Sequence, residues 1–136
     1  MPSLVGSEMC IRDRGHTMKT MHRTKALAAY EGARLTLNNN MSYPTYMLLK
    51  EAVRGVLSYM AEDFLNIDID EKTKLTRLVD LVNSEDINSD DNESIQALID
   101  AEKRGLEHLL SMDIDTLRKI KKSAKHLIAT YLKEPV

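Results

Sequence analysis

Residues 46–60 leave the chain little choice of secondary structure. At 100° per residue Leu49, Ala52, Val53, Val56, Tyr59 and Met60, with Leu48, Leu57 and Phe64 at the edges, form an apolar arc wider than half a helix. A helix this apolar has to be covered by neighbours on more than one side. Only Lys50, Glu51, Arg54, Ser58 and Glu62 make a polar stripe, so the stretch reads as the central helix of an all-α bundle.

The flanking sequence supplies partners for it. Ala26, Ala29, Tyr30, Ala33 and Leu37 share one face of a helix expected over 22–38, and the small alanines invite close approach. Asn38, Asn39 and Asn40 end it, because Asn tolerates a left-handed exit, and Pro44 sits where a new helix accepts a missing N–H. The link is short, which makes these two helices antiparallel neighbours. Asp70 is the expected N-cap of a third helix with Leu75, Leu78, Val79 and Val82 inward. After an acidic stretch over 84–92, expected to be a mobile loop, a fourth helix over 93–112 points Ile95, Leu98, Ile99, Leu106, Leu109 and Leu110 to the core. Asp113 or Asp115 caps a fifth, with Leu117, Ile120, Ala124, Leu127, Ile128 and Tyr131 inside, and Pro135 stops it. The expectation is a single up-and-down bundle of about five helices over 22–134.

With 136 residues there is room for one core, and with eight methionines, one phenylalanine and no tryptophan it is filled by aliphatic and thioether side chains. A net charge of −2 gives no global pull toward nucleic acid or an anionic membrane. No apolar run reaches the length of a membrane span and no secretory signal opens the chain, so the expected location is cytoplasmic. Residues 6–14 look like a translated sequencing adapter, and 1–16 are expected to be a tail that contributes nothing to folding. Setting it aside removes Cys10, the only cysteine. No metal site and no cofactor is expected.

Four groups of residues carry possible chemistry. Asp86, Asn88 and Asp90 alternate as calcium ligands do, but Asp91 and Ala97 stand where an EF-hand needs its glycine and its bidentate glutamate. The last helix presents Arg118, Lys119, Lys122, Lys125 and His126 opposite its apolar stripe, a basic face with no aromatic to stack a base. Arg104 and His108, four apart on one outer face with Asp100 a turn before, could act as phosphate holder and acid/base, or Asp100 and Arg104 could be an ordinary ion pair. Glu102 falls inside the apolar stripe of the fourth helix, where a carboxylate needs a cation. Lys50 and Arg54 are the candidates, and with Glu51 these residues are the binding candidates.

Ala28-Ala29-Tyr30-Glu31-Gly32-Ala33-Arg34-Leu35-Thr36-Leu37, followed by 43–57 with Glu51 and Arg54 at its centre, resembles the HEPN (higher eukaryotes and prokaryotes nucleotide-binding) domain family. The resemblance covers most of 25–132. It implies a small helical bundle, a homodimer, and in members lacking the nuclease motif a partner role, often beside a small nucleotidyltransferase. Nuclease members are metal-independent and hold an Arg and a His at a set spacing on a late helix. Here His108 follows Arg104 after three residues and His126 follows Arg118 after seven, and neither spacing fits. The expected function is therefore a non-catalytic protein-interaction module, with RNA cleavage by Arg104 and His108 in a dimer as the alternative.

Overall fold

The computed structural model describes the backbone of residues 2–82 and 87–136, and the side chains of 19–82 and 87–136. Among these residues the fold is all-α, with six helices and no strand: α1 (Pro2–Asn38), α2 (Ser42–Leu65), α3 (Leu75–Val82), α4 (Ser89–Arg104), α5 (Leu106–Leu110) and α6 (Ile114–Leu127). A π-helical turn, Ile128–Leu132, prolongs α6. The side chains of the expected tail, 1–16, lie outside the described residues.

α1 and α2 form the antiparallel pair at the centre. Asn40 takes the left-handed φ of 56° that turns the chain between them. Ala26 and Ala33 are fully buried and Gly55 lies against Ala26, so the alanine face does admit a close neighbour. α1 is already paired ahead of His22, the expected helix start, because Lys19 bonds Asp63 at 2.5 Å across the last turns of α2.

α2 is buried over much of its surface within one chain: Tyr46, Leu49, Ala52, Val56 and Leu57 have no exposed area. Its polar stripe is narrower than expected. Ser58 and Glu62 face inward, and the Ser58 hydroxyl has no hydrogen-bond partner among the described residues. Phe64, at the edge of the expected apolar arc, is 52% exposed because α2 ends there, at Asn66, whose left-handed φ of 55° closes the helix.

Three boundaries differ from expectation for identifiable reasons. Asp70 does not cap α3; its carboxylate accepts from the Lys72 N–H at 2.7 Å in a tight turn, and the helix starts at Leu75, its first buried residue. α4 starts at Ser89, inside the expected acidic loop, because Asn88 caps it by accepting from the Asp91 N–H at 2.8 Å. The rest of that loop, 83–86, lies outside the described residues. The expected fourth helix is two helices, because Gly105 adopts φ 94°, ψ 179°, which side-chain-bearing residues avoid. This resets the phase: Leu109 stays inside, while Leu106 and Leu110, expected in the core, are 58% and 57% exposed.

α6 follows its pattern. Asp113 caps it through the Thr116 N–H, and Leu117, Ile120, Ala124, Leu127 and Ile128 are buried. Beyond them the π turn leaves Tyr131 half-buried and buries Leu132 instead.

Tyr46 joins the helices at the core. Its ring is fully buried and its hydroxyl donates to the Leu98 carbonyl of α4 at 3.2 Å. Burial, with the Glu102 carboxylate adding to it, pushes the phenol up to about 12. The neutral phenol is thus favoured by the fold, a contribution present in full below the unfolded value near 10 and lost as pH rises through 12. The urea midpoint is expected to fall over that window, with Tyr46 contributing at most about 2–3 kcal/mol and Tyr30, raised by burial in the same direction, adding to it, so Tyr46→Phe should lessen the fall without removing it. An unchanged alkaline profile in Tyr46→Phe would refute this.

Candidate functional site

The binding candidates Lys50, Glu51, Arg54 and Glu102 converge. They line one surface cleft of about 210 Å³ with Glu71, Lys72, Thr73, Lys74 and Leu75 of the segment that leads into α3. The polar stripe of α2 supplies Lys50, Glu51 and Arg54 at one-turn spacing, and α4 brings Glu102 against it. The Lys50 ammonium meets the Glu102 carboxylate at 3.0 Å. Arg54 is the better buried cation: its guanidinium donates to Glu51 at 2.9 Å and to the Glu71 carbonyl, tying α2 to the connector. The Lys25 ammonium bonds Glu71 and holds its carboxyl below the usual range.

Glu102 is paired with one of the two cations named for it, but it is not buried. Its side chain is 58% exposed, because the face of α4 that enters the core is set by Ile95, Leu98, Ile99 and Ala101, and Glu102 lies beside that stripe. Surface pairs of this kind contribute about 0–1 kcal/mol, so removing either partner strands no buried charge.

Past Leu75 the cleft opens into a second depression of about 270 Å³ that adds Ile99 and Lys103. Lys72, Lys74 and Lys103 have no ion-pair partner among the described residues. The walls thus offer cations and an apolar floor. Among the described residues they hold no histidine, cysteine or serine, and the arrangement suits binding of an acidic or mixed-charge surface.

Arg104 and His108 fall on different helices. Arg104 ends α4, His108 sits in α5, and the Gly105 break between them removes the single helix face on which the pairing depended. No ion pair joins Asp100 to Arg104 among the described residues, and no hydrogen bond joins Arg104 to His108. His126 does not belong with the free basic face. Its Nδ1 meets the Asp91 carboxylate at 2.6 Å, and that carboxylate is 5% exposed, so the ring pins α6 to the first turn of α4. Asp91, expected in a solvated loop, is thus a buried partner. Among the described residues no three potential ligands cluster as a metal site would require.

Periodicity missed one constellation altogether. His22 and Glu62 are each 4% exposed, with His22 Nε2 at 3.1 Å from the carboxylate and 2.9 Å from the Ile69 carbonyl. Both neighbours are acceptors, so Nε2 carries the hydrogen and donates. The Ile69 N–H donates to the same carboxylate at 2.7 Å. One carboxylate therefore holds α1, the end of α2 and the connector together. The antiparallel register set by Thr36 and Thr45 across the turn brings His22 only to the level of Tyr59, one helical turn short of Glu62, so pattern alone did not name the pair.

Among the described residues no helix is long and apolar enough to cross a membrane. No family model, curated protein or solved structure matches the chain.

Proposed function

We propose that the protein is a non-catalytic helical interaction module of HEPN type that engages a protein partner through the cleft between α2, α4 and the connector before α3. The observation that carries this reading is the convergence of Lys50, Glu51, Arg54 and Glu102 in one cleft whose remaining lysines, Lys72 and Lys74, have no ion-pair partner among the described residues. Such a surface has the elements of a polar interface rim around an apolar floor. A small nucleotidyltransferase is the partner that the family resemblance suggests, with a homodimer as the working assembly.

The alternative, RNA cleavage in a dimer, would have to draw Arg104 from the end of α4 and His108 from α5. The homodimer rests on the family resemblance, and light scattering over a dilution series decides it.

The test of function is affinity capture from the source lysate with wild type and with the double variant Lys72→Glu, Lys74→Glu. A partner retained by the wild type is expected to be lost with the variant, whose thermal midpoint should stay near that of the wild type because both sites are exposed. Equal recovery with both proteins would remove the cleft from the interface. RNA cleavage by the wild type that disappears in His108→Ala would replace the proposal with the nuclease reading.

A further inference from the structure

A second concave surface lies between the C-terminal half of α1 and α6. This groove, of about 460 Å³, is walled on one side by Arg118, Lys121, Lys122 and Lys125 and on the other by Asn38 and Asn40, with Tyr30 and Leu37 at its base. Among the described residues no carboxylate lines it. Lys19, Arg23, Lys25, Arg34, Lys50 and Arg54 meet acidic side chains, and the unpaired Lys72, Lys74 and Lys103 line depressions that Glu51, Glu71 and Glu102 also line, whereas the cations of this groove share it with none. On α6 Arg118 pairs with Asp115 and Lys119 with Glu93, but Lys121, Lys122 and Lys125 have no ion-pair partner among the described residues. Uncompensated like charges on one helix repel, so their neutralisation by a ligand is favourable.

We propose that this groove binds an extended acidic segment, rich in Asp or Glu, of a protein partner. The inference rests on the reading of the chain as an interaction module and assigns the chemistry of a second contact. The spacing fits: Arg118 with Lys122, and Lys121 with Lys125, are one helical turn apart, about 6 Å along the axis. Alternate side chains of an extended peptide emerge on one side every ~6.6–6.8 Å, so successive carboxylates fall opposite successive cations. Asn38 and Asn40 on the opposite wall carry amides able to donate to the peptide's carbonyls. A nucleic-acid strand fits less well, because Tyr30 is 3% exposed and offers no ring face for a base.

The probe is a fluorescent peptide of about eight glutamates, titrated by anisotropy against the purified full chain at low salt, where charge steering is least screened. Binding is expected to weaken about tenfold or more in Lys121→Gln, Lys125→Gln and to stay within about twofold in Arg77→Gln, Lys133→Gln, because only the first pair faces the groove and the second pair is exposed elsewhere. Amide shifts in the wild type should fall on 38–40 and 118–125 and not on 71–75, a readout that does not depend on either variant folding. Equal loss in both variants, shifts centred on 71–75, or no binding at millimolar peptide would overturn the proposal. So would an oligothymidylate of equal charge that binds more tightly through the same lysines, which would assign the groove to nucleic acid. Purified components are used throughout, so failure here leaves the cleft reading intact, and failure of lysate capture leaves this result intact.

Discussion

Gly55→Leu is expected to abolish folding, and Gly55→Ala to destabilise by about 1–3 kcal/mol despite alanine's better helix propensity. A Cβ at this position would stand 2.8 Å from the Ala26 Cβ, 2.9 Å from the His22 carbonyl and 3.2 Å from the Ala26 Cα. Two of these three contacts are with backbone, which cannot step aside as a flexible side chain would. Alanine in place of glycine gains roughly 1 kcal/mol in a helix interior, and that gain is set against separating the two central helices of the bundle. Overpacking exceeds it, because spreading α1 from α2 also loosens every contact along the shared face. Leucine, with three further carbons, asks for a displacement that the total stability of a small domain, about 5–15 kcal/mol, does not cover. Gly32 provides the contrast, since a Cβ there meets only the flexible tip of Leu48 at 3.1 Å. Circular dichroism melts of the Gly55 and Gly32 alanine variants check the difference. A Gly55→Ala protein more stable than the wild type would refute the packing argument.

The second large effect is expected at His22. Removing the imidazole by His22→Ala leaves the Glu62 carboxylate buried with the Ile69 N–H as its remaining neighbour from this cluster, and the cost is expected to be about 3–5 kcal/mol. Glu62→Ala should cost less, about 1–3 kcal/mol, since it strands the Ile69 N–H while His22 Nε2 keeps the Ile69 carbonyl as acceptor. The double replacement His22→Leu, Glu62→Leu should cost less than the sum of the single changes, because no charge is then stranded. The Ile69 N–H still lacks its partner, so recovery is incomplete. Urea unfolding of the full cycle measures this. Additive single effects below about 1 kcal/mol would mean that the pair does not hold the connector.

Most of the helical faces were legible in the sequence, because burial in a bundle follows angle, and angle follows residue number. Ala26, Tyr30 and Ala33 on α1, Leu49, Val53 and Val56 on α2, and Leu117, Ile120 and Ala124 on α6 are all inside as their spacing predicts. The errors cluster where that angular bookkeeping is interrupted. At Gly105 one unusual backbone conformation rotates everything after it, which turned Leu106 and Leu110 outward and divided Arg104 from His108. Polar residues misled in both directions. Glu102 looked buried and is exposed, whereas Glu62, Ser58 and Asp91 looked solvated and are buried. Whether a carboxylate is inside depends on a partner from another element, His22 for Glu62 and His126 for Asp91, and such partners are invisible to a one-dimensional pattern. The cleft was partly legible because Lys50, Glu51 and Arg54 share one stripe. The contribution of Glu71 to Leu75 was not, since it depends on how an irregular connector folds back.

The register of the central pair also bears on how the chain finds its fold. Thr36 meets Thr45 nine residues away, His22 meets Glu62 forty away, and Lys19 meets Asp63 forty-four away. If each contact had to be closed from an open chain, the entropy lost would grow with the logarithm of these separations, by about 0.6 kcal/mol for every doubling. An antiparallel hairpin avoids most of that increase, because once Thr36 and Thr45 are together the loop still to be closed for the next contact is only a few residues. The buried His22–Glu62 clamp, distant along the sequence, is therefore near in the order of assembly. It lies at the open end of a zipper whose first tooth is the Asn40 turn.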